Sequence, residues 1–152
     1  MYADTTTTPV GSKSSGKPQN RKDLASIIAL HDVPYVAQTT FIKNFKDLHT
    51  KSEKAIYTEG AAFLNVMAPC PRGWRYPAED MMKICELAVE TCYWPLFEVI
   101  DGKWILNYKP KKKLPIEEFL KPQGRFKHLF KKGNEHLIEE FQAEVDRRWN
   151  EL

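Results

Sequence analysis

Cys70 is the residue of this chain best placed to do chemistry. It sits in Ala68-Pro69-Cys70-Pro71-Arg72-Gly73-Trp74-Arg75-Tyr76-Pro77, directly between two prolines. Proline locks φ and lacks an N–H, so three prolines and a glycine here argue for a stiff loop without regular structure. A thiolate held on such a loop loses little entropy when it meets a cofactor. The other use of a free cysteine is as a small buried hydrophobe. That is the reading for Cys85 and Cys92, which recur at helical spacing on an apolar face. One thiolate does not complete a metal centre, because zinc and iron–sulfur sites take four ligands. His31, His49, His128 and His136 are not at ligand spacing from Cys70. A metal role for Cys70 therefore requires ligands from another chain. A nucleophile role requires a histidine base that the sequence does not bring near it.

Two basic groups accompany this cysteine. Arg72 and Arg75 flank Trp74. They suit a surface loop anchored by one aromatic, or a positive rim that stabilises an anionic cofactor or reduced cluster. Lys109, Lys111, Lys112 and Lys113 form a basic turn around Pro110. Such a turn is a solvated surface or a docking patch that speeds association with an acidic protein at low salt. Trp104 and Tyr108 fall in predicted strands and no nucleic-acid motif accompanies them, so nucleic-acid binding is the weaker reading. The chain contains no G-x-x-x-x-G-K-[ST], G-x-G-x-x-G or H-E-x-x-H.

The elements that must position these groups follow from hydrophobic periodicity. Residues 1–22 are polar, with four successive threonines, and read as an irregular lead-in, a tail or the end of an active-site loop. Residues 23–152 read as a single α/β domain. Asp23 caps a helix through Leu24, Ile27, Ile28 and Leu30, which Asp32-Val33-Pro34 ends. Tyr35 to Thr40 reads as a strand. From about Lys43 to Tyr57, Phe41, Phe45, Leu48, Ala55 and Ile56 mark one helical face, and Gly60 stops the helix. Ala61 to Met67 is almost wholly apolar, a strand of the kind buried on both faces of a parallel sheet. Strand, helix and strand with short joints form a right-handed βαβ unit, whose two strand ends share one edge. Ligands of open α/β sheets bind at that edge, and Cys70 follows directly. A helix over Ala78–Tyr93 places Met81, Ile84, Cys85, Ala88 and Cys92 on one face. Leu96–Ile100 and Lys103–Tyr108 form a hairpin about Asp101-Gly102. A short helix begins at Pro115, a compact connector covers Gln123–Leu129, and a helix over Asn134–Leu152 carries a Glu144–Arg148 pair.

Composition bounds the class. The chain has 152 residues, 42% hydrophobic and 28% charged, with a net charge of +3. That suffices for one globular domain. No apolar run approaches the ~20 residues of a bilayer span. The first residues lack a signal-peptide pattern, and the three cysteines show no C-x-x-C pair. The expectation is a cytoplasmic protein with no membrane or nucleic-acid partner.

Several blocks, in order, resemble a known family. Val66-Met67-Ala68-Pro69-Cys70-Pro71-Arg72-Gly73-Trp74, Leu87-Ala88-Val89-Glu90-Thr91, Trp94-Pro95-Leu96-Phe97-Glu98 and Leu120-Lys121-Pro122-Gln123-Gly124-Arg125-Phe126-Lys127-His128-Leu129 are similar to the carboxy-terminal part of the beta subunit of 2-oxoacid:ferredoxin oxidoreductases, of the pyruvate synthase type. Thr5-Thr6-Thr7-Thr8-Pro9, Arg21 to Ala25 and Val33 to Ala37 also fit. The resemblance implies an α/β fold: a partial parallel sheet flanked by helices, with a C-terminal hairpin and helix, like the second half of a thiamine-diphosphate-binding domain. It implies oxidative decarboxylation of a 2-oxoacid to acyl-coenzyme A, with electrons passing through iron–sulfur clusters to ferredoxin. It makes Cys70 the last of four ligands of a [4Fe–4S] cluster. The family's other cluster cysteines and its G-D-G…N motif for thiamine diphosphate and Mg2+ are absent here. The chain is then expected to be inactive alone, to contain no catalytic residue, and to need the remaining half of the subunit and the other subunits as partners. The alternative is a small non-enzymatic α/β module that docks an acidic protein through its basic turn.

Overall fold

A computed structural model describes residues 1–11, 14–42 and 45–152 of the chain. The elements run β1 (Val10–Gly11), β2 (Ser14–Ser15), α1 (Leu24–Ala29), β3 (Tyr35–Thr40), α2 (Lys46–Tyr57), β4 (Ala62–Met67), α3 (Pro71–Trp74), α4 (Met81–Glu90), β5 (Phe97–Ile100), β6 (Lys103–Leu106), α5 (Ile116–Leu120) and α6 (Glu135–Asn150). Short 3-10 segments cover Ala78–Asp80 and Gly124–Phe130. The main sheet is mixed, in the order β4-β3-β5-β6. β3 and β4 run parallel with Tyr35 opposite Ala62 and Thr40 opposite Met67. β5 pairs antiparallel with β3, and β6 with β5. This is the expected α/β class, a sheet flanked by helices, with one parallel pair and the rest antiparallel.

Local chemistry explains most boundaries. Asp23 accepts the Ser26 N–H at 3.2 Å and caps α1. Asp101 and Gly102 take φ of 48° and 75°, the left-handed pair that a tight hairpin needs. Ile84, Cys85 and Ala88 of α4 are buried with Phe119, Leu120, Phe126, Phe141 and Val145 from the elements that follow. A smaller cluster of Ala25, Val36, Phe97 and Val99 joins α1 to the sheet.

Three expectations need correction. β4 is not buried on both faces. It is the edge of the sheet, and only Met67 among its six residues is buried, while Val66 is 37% exposed. Burial on both faces presumes helices that cover the whole strand above and below the sheet, and a strand at the edge is covered only in part. The stretch after Cys70 is not irregular: Pro71–Trp74 is a single helical turn with proline at its start, where a missing N–H costs nothing. In α2, Ile56 and Phe45 are exposed, at 77% and 47%, and Lys51 is buried instead. Its ammonium donates to the Gln38 carbonyl and to Asp47 Oδ2, both at 2.9 Å, which satisfies the charge inside the α2–sheet seam. The expected start of this helix near Lys43 lies outside the described residues.

A second polar group is buried under α2. Glu98 of β5 is 2% exposed and accepts from Tyr35 Oη at 2.6 Å, Lys54 Nζ at 2.8 Å and Asn107 Nδ2 at 2.7 Å. Burial works to raise its pKa, but the bonds from Lys54, Tyr35 and Asn107 outweigh it and hold the carboxyl below its usual range. A carboxylate whose folded pKa is depressed stabilises the fold above its unfolded pKa, near 4.3, and loses that contribution as pH falls through the folded value. The unfolding free energy of Glu98→Gln, measured by denaturant titration with circular dichroism at a series of pH values, should therefore depend less on pH below about 5 than that of the parent. Identical acid profiles would refute this assignment.

Candidate functional site

The parallel pair sets the site. Because β3 and β4 run in the same direction, Thr40 and Met67 end side by side, and Thr40 Oγ1 donates to the Met67 carbonyl at 2.7 Å. Trp94 Nε1 donates to the Thr39 carbonyl at 2.8 Å from the other side. The chain leaves this clamped edge through Ala68 and Pro69. The buried Tyr76 then closes the bend, its hydroxyl donating to the Pro69 carbonyl at 2.9 Å.

Cys70 is exposed, the other two cysteines buried. It occupies the N-cap of α3, where Sγ accepts the Gly73 N–H at 3.4 Å and its carbonyl accepts the Trp74 N–H at 2.9 Å. The sulfur thus points outward from a fixed backbone. Burial pushes the Cys92 thiol up to about 11 and also raises that of Cys85. Both are inert packing residues.

The lead-in packs onto this bend through residues the sequence reading did not single out. Arg125 is 2% exposed, donates from Nη1 to Asp4 Oδ2 at 2.8 Å and from Nε and Nη2 to Gln123 Oε1, and lies 3.6 Å from the centre of the Trp74 ring. Burial brings the Arg125 guanidinium down to about 10. Burial also works to raise Asp4, but the Thr6 bonds and Arg125 prevail and hold it below its usual range. Thr5 Oγ1 donates to the Arg125 carbonyl at 2.7 Å, and Thr6 Oγ1 to the Gly73 carbonyl at 3.3 Å. The threonine run thereby sits against the turn that carries Cys70. Gly124 approaches Arg75 so closely that an added Cβ would lie 2.8 Å from the Arg75 Cβ. Its place in the Gln123-Gly124-Arg125 block was the available signal.

The remaining predicted groups fall as follows. Arg72 is exposed at the first turn beside Cys70. Arg75 is exposed, in the left-handed region at φ 60°, with Nη2 donating to the Thr5 carbonyl at 3.3 Å. Lys109, Lys111 and Lys112 are exposed, but Lys113 pairs with Asp146. His128 is bonded to the Ser15 carbonyl and His136 is exposed on α6, so neither serves Cys70 as a base. Among the described residues no group of three or more His, Cys, Asp or Glu side chains is arranged to hold a metal ion. No helix among them is long and apolar enough to cross a membrane.

The sheet edge at β4 and the exposed thiol of Cys70 thus lie together at the end of the parallel pair. The chain is homologous to beta subunits of 2-oxoacid:ferredoxin oxidoreductases. It is 44% identical to the pyruvate synthase subunit PorB of Thermotoga maritima, over 99% of this chain and 46% of that subunit. Against PorB of Methanosarcina barkeri the identity is 43%, over 97% and 49%. The ketoisovalerate oxidoreductase subunit VorB of Pyrococcus furiosus is 41% identical over 97% and 47%. The chain spans about half the length of these curated relatives. No family model matches it.

Proposed function

We propose that this chain is the carboxy-terminal half of a pyruvate synthase-type beta subunit, and that it acts only when joined to the remaining half and the other subunits. The observation that carries the reading is Cys70: an exposed thiol, fixed by a capped turn at the end of a parallel strand, in a chain 44% identical to a pyruvate synthase subunit. The open edge of β4 supports it. Apolar edge strands are normally blunted by charge, proline or a bulge, and Ala62-Phe63-Leu64-Asn65-Val66-Met67 has none of these. Such an edge fits a further strand from the missing half.

In this reading Cys70 provides one thiolate of a [4Fe–4S] cluster. The donor chemistry fits a cluster ligand, and in this reading the other three thiolates come from the remaining half. When bound, such a cluster accepts and releases single electrons. This chain's own part is positional. Tyr76 and Pro71 hold the bend, and the Gly73 N–H on Sγ, with Arg72 and Arg75 nearby, favours added negative charge there. Thiamine diphosphate and Mg2+ are assigned to the complete subunit. The 2-oxoacid, coenzyme A and ferredoxin are reactants of the whole complex, which we place in the cytoplasm.

Co-expression with an upstream half that bears the missing cysteines tests the reading. A reducible iron–sulfur signal by electron paramagnetic resonance is the expected result. A stable complex of both halves with no cluster would sink it.

The basic turn is assigned to docking of a subunit or ferredoxin. Reversing Lys109, Lys111 and Lys112 to glutamate should slow ferredoxin reduction by about tenfold at low salt and little at high salt. Equal rates at low salt would reject the assignment.

A further inference from the structure

The sheet has a second open edge, at β6, opposite the β4 edge. Register shows which of its backbone groups are free. In an antiparallel pair, opposed residues alternate between exchanging both hydrogen bonds and exchanging none. Asp101-Gly102 closes the hairpin, so Ile100 and Lys103 form a bonded pair, and Glu98 and Ile105 the next. The Asn107 N–H, which donates to the Leu96 carbonyl at 2.9 Å, continues that phase. The main-chain groups of Trp104 and Leu106 therefore point away from β5, and no other segment among the described residues bonds to them. An added strand would meet their N–H and C=O groups in a row.

This edge is little protected. The register from Phe97–Leu106 to Ile100–Lys103 runs without a bulge, and the strand has no proline. Its one charge, Lys103, sits at the turn. Trp104 and Ile105 are 45% and 42% exposed, on opposite faces of the strand. The Trp104 ring rests on Phe97, 5.0 Å between ring centres, on the face that α1 covers. Charge decides what kind of strand fits. Lys103 precedes Trp104, and Lys109, Lys111 and Lys112 follow Leu106 closely. All four are exposed and form no ion pair among the described residues, whereas Lys113 is paired with Asp146. Asp101 is the sole acid in residues 99–116.

We propose that β6 accepts, by strand addition, an extended acidic segment of a partner polypeptide. The segment's main chain pairs with Trp104 and Leu106, and its carboxylates meet the lysines on either side. This deepens the docking role given to the basic turn and rests on it only for the sign of the partner's charge. It is independent of the cluster reading.

The test uses the 152-residue chain and the capped peptide Glu-Glu-Val-Thr-Val-Thr-Glu-Glu, followed by titration calorimetry and backbone amide resonances. Two further peptides carry N-methyl groups at both valines or at both threonines. Alternate N–H groups of a strand face opposite edges, so one set faces β6 and the other faces solvent. One methylated peptide should bind about tenfold more weakly than the parent, and the other within about twofold of it. The Trp104 and Leu106 amides should shift and gain exchange protection, and those of β4 should not. Replacing the glutamates of the peptide by glutamine should weaken binding about tenfold at low salt and little at high salt. The glutamine peptide tests the charge and the methylated pair tests the pairing, so the two failures are told apart. Leu106→Pro removes an outward N–H without breaking the ladder to β5, and should weaken binding of the parent peptide by roughly fivefold. Equal effects of the two methylation patterns, shifts centred on β4, equal binding of the glutamine peptide at low salt, undiminished affinity of a folded Leu106→Pro, or no saturable binding would each overturn the proposal. If Leu106→Pro does not fold, the methylated peptides on the unaltered chain decide alone.

Discussion

Cys70→Ser is expected to remove the iron–sulfur signal of the reconstituted subunit and reduce electron delivery to ferredoxin more than a hundredfold, while leaving the fold intact. The argument rests on the cap geometry. Sγ accepts one N–H, from Gly73, at the first turn of α3. A serine hydroxyl performs that capping task well, so the turn keeps its stabilisation, whereas alanine there would cost about 1 kcal/mol. The side chain is exposed, so no core packing is lost. What serine does not provide is a soft thiolate. Loss of a mere outer-shell partner of a metal already costs about 10–100-fold, and loss of a ligand should exceed that. Iron analysis, the paramagnetic spectrum and a thermal melt separate the outcomes. Unchanged cluster content would show that Cys70 is only a capping residue.

The largest effect on stability should come from Arg125→Ala. Its guanidinium is almost fully buried, ion-paired to Asp4, bonded twice to Gln123 and stacked on Trp74. Buried ion pairs of this kind contribute little over an apolar replacement, but removing one partner strands the other, at about 3–5 kcal/mol. For a chain of this size that corresponds to a fall in Tm of roughly 6–20 °C. The damage should also be local. Asp4 and Thr5 tie the lead-in to the Arg125 segment, and Thr6 ties it to Gly73. Hydrogen exchange should therefore speed up at residues 1–11 and 14–17 and at the 70–76 bend before it does in β3. Asp4→Asn should do less, because the amide oxygen still accepts from Arg125. A Tm within about 1 °C of the parent for Arg125→Ala would refute the clamp.

The two variants differ in how far the sequence announces them. Cys70 could be picked out from its neighbours, since prolines on either side stiffen a chain whatever packs around it. Arg125 could not. It stands in a stretch read as a compact connector and in a block of the family resemblance, neither of which marks it for burial, and its partner Asp4 is 121 residues away. Nothing local distinguishes an arginine that enters a core from one that faces water. Lys51 gives no sign in the sequence for the same reason, yet it is the residue that α2 buries. β4 misled in the opposite sense, because an apolar strand was read as covered when the chain leaves it at an edge.

Local rules were enough for the helices and the hairpin. Capping at Asp23, the left-handed pair at Asp101-Gly102 and the 3.6-residue period of Ile84, Cys85 and Ala88 act over a few residues, so they are written in short stretches of sequence. The relationship to PorB and VorB is equally a property of the linear chain. Tertiary structure alone decided which strand became the edge and which charges went inside. Each of these depends on which distant segments meet. Burial energy is set by those meetings, and a residue's own chemistry does not specify them.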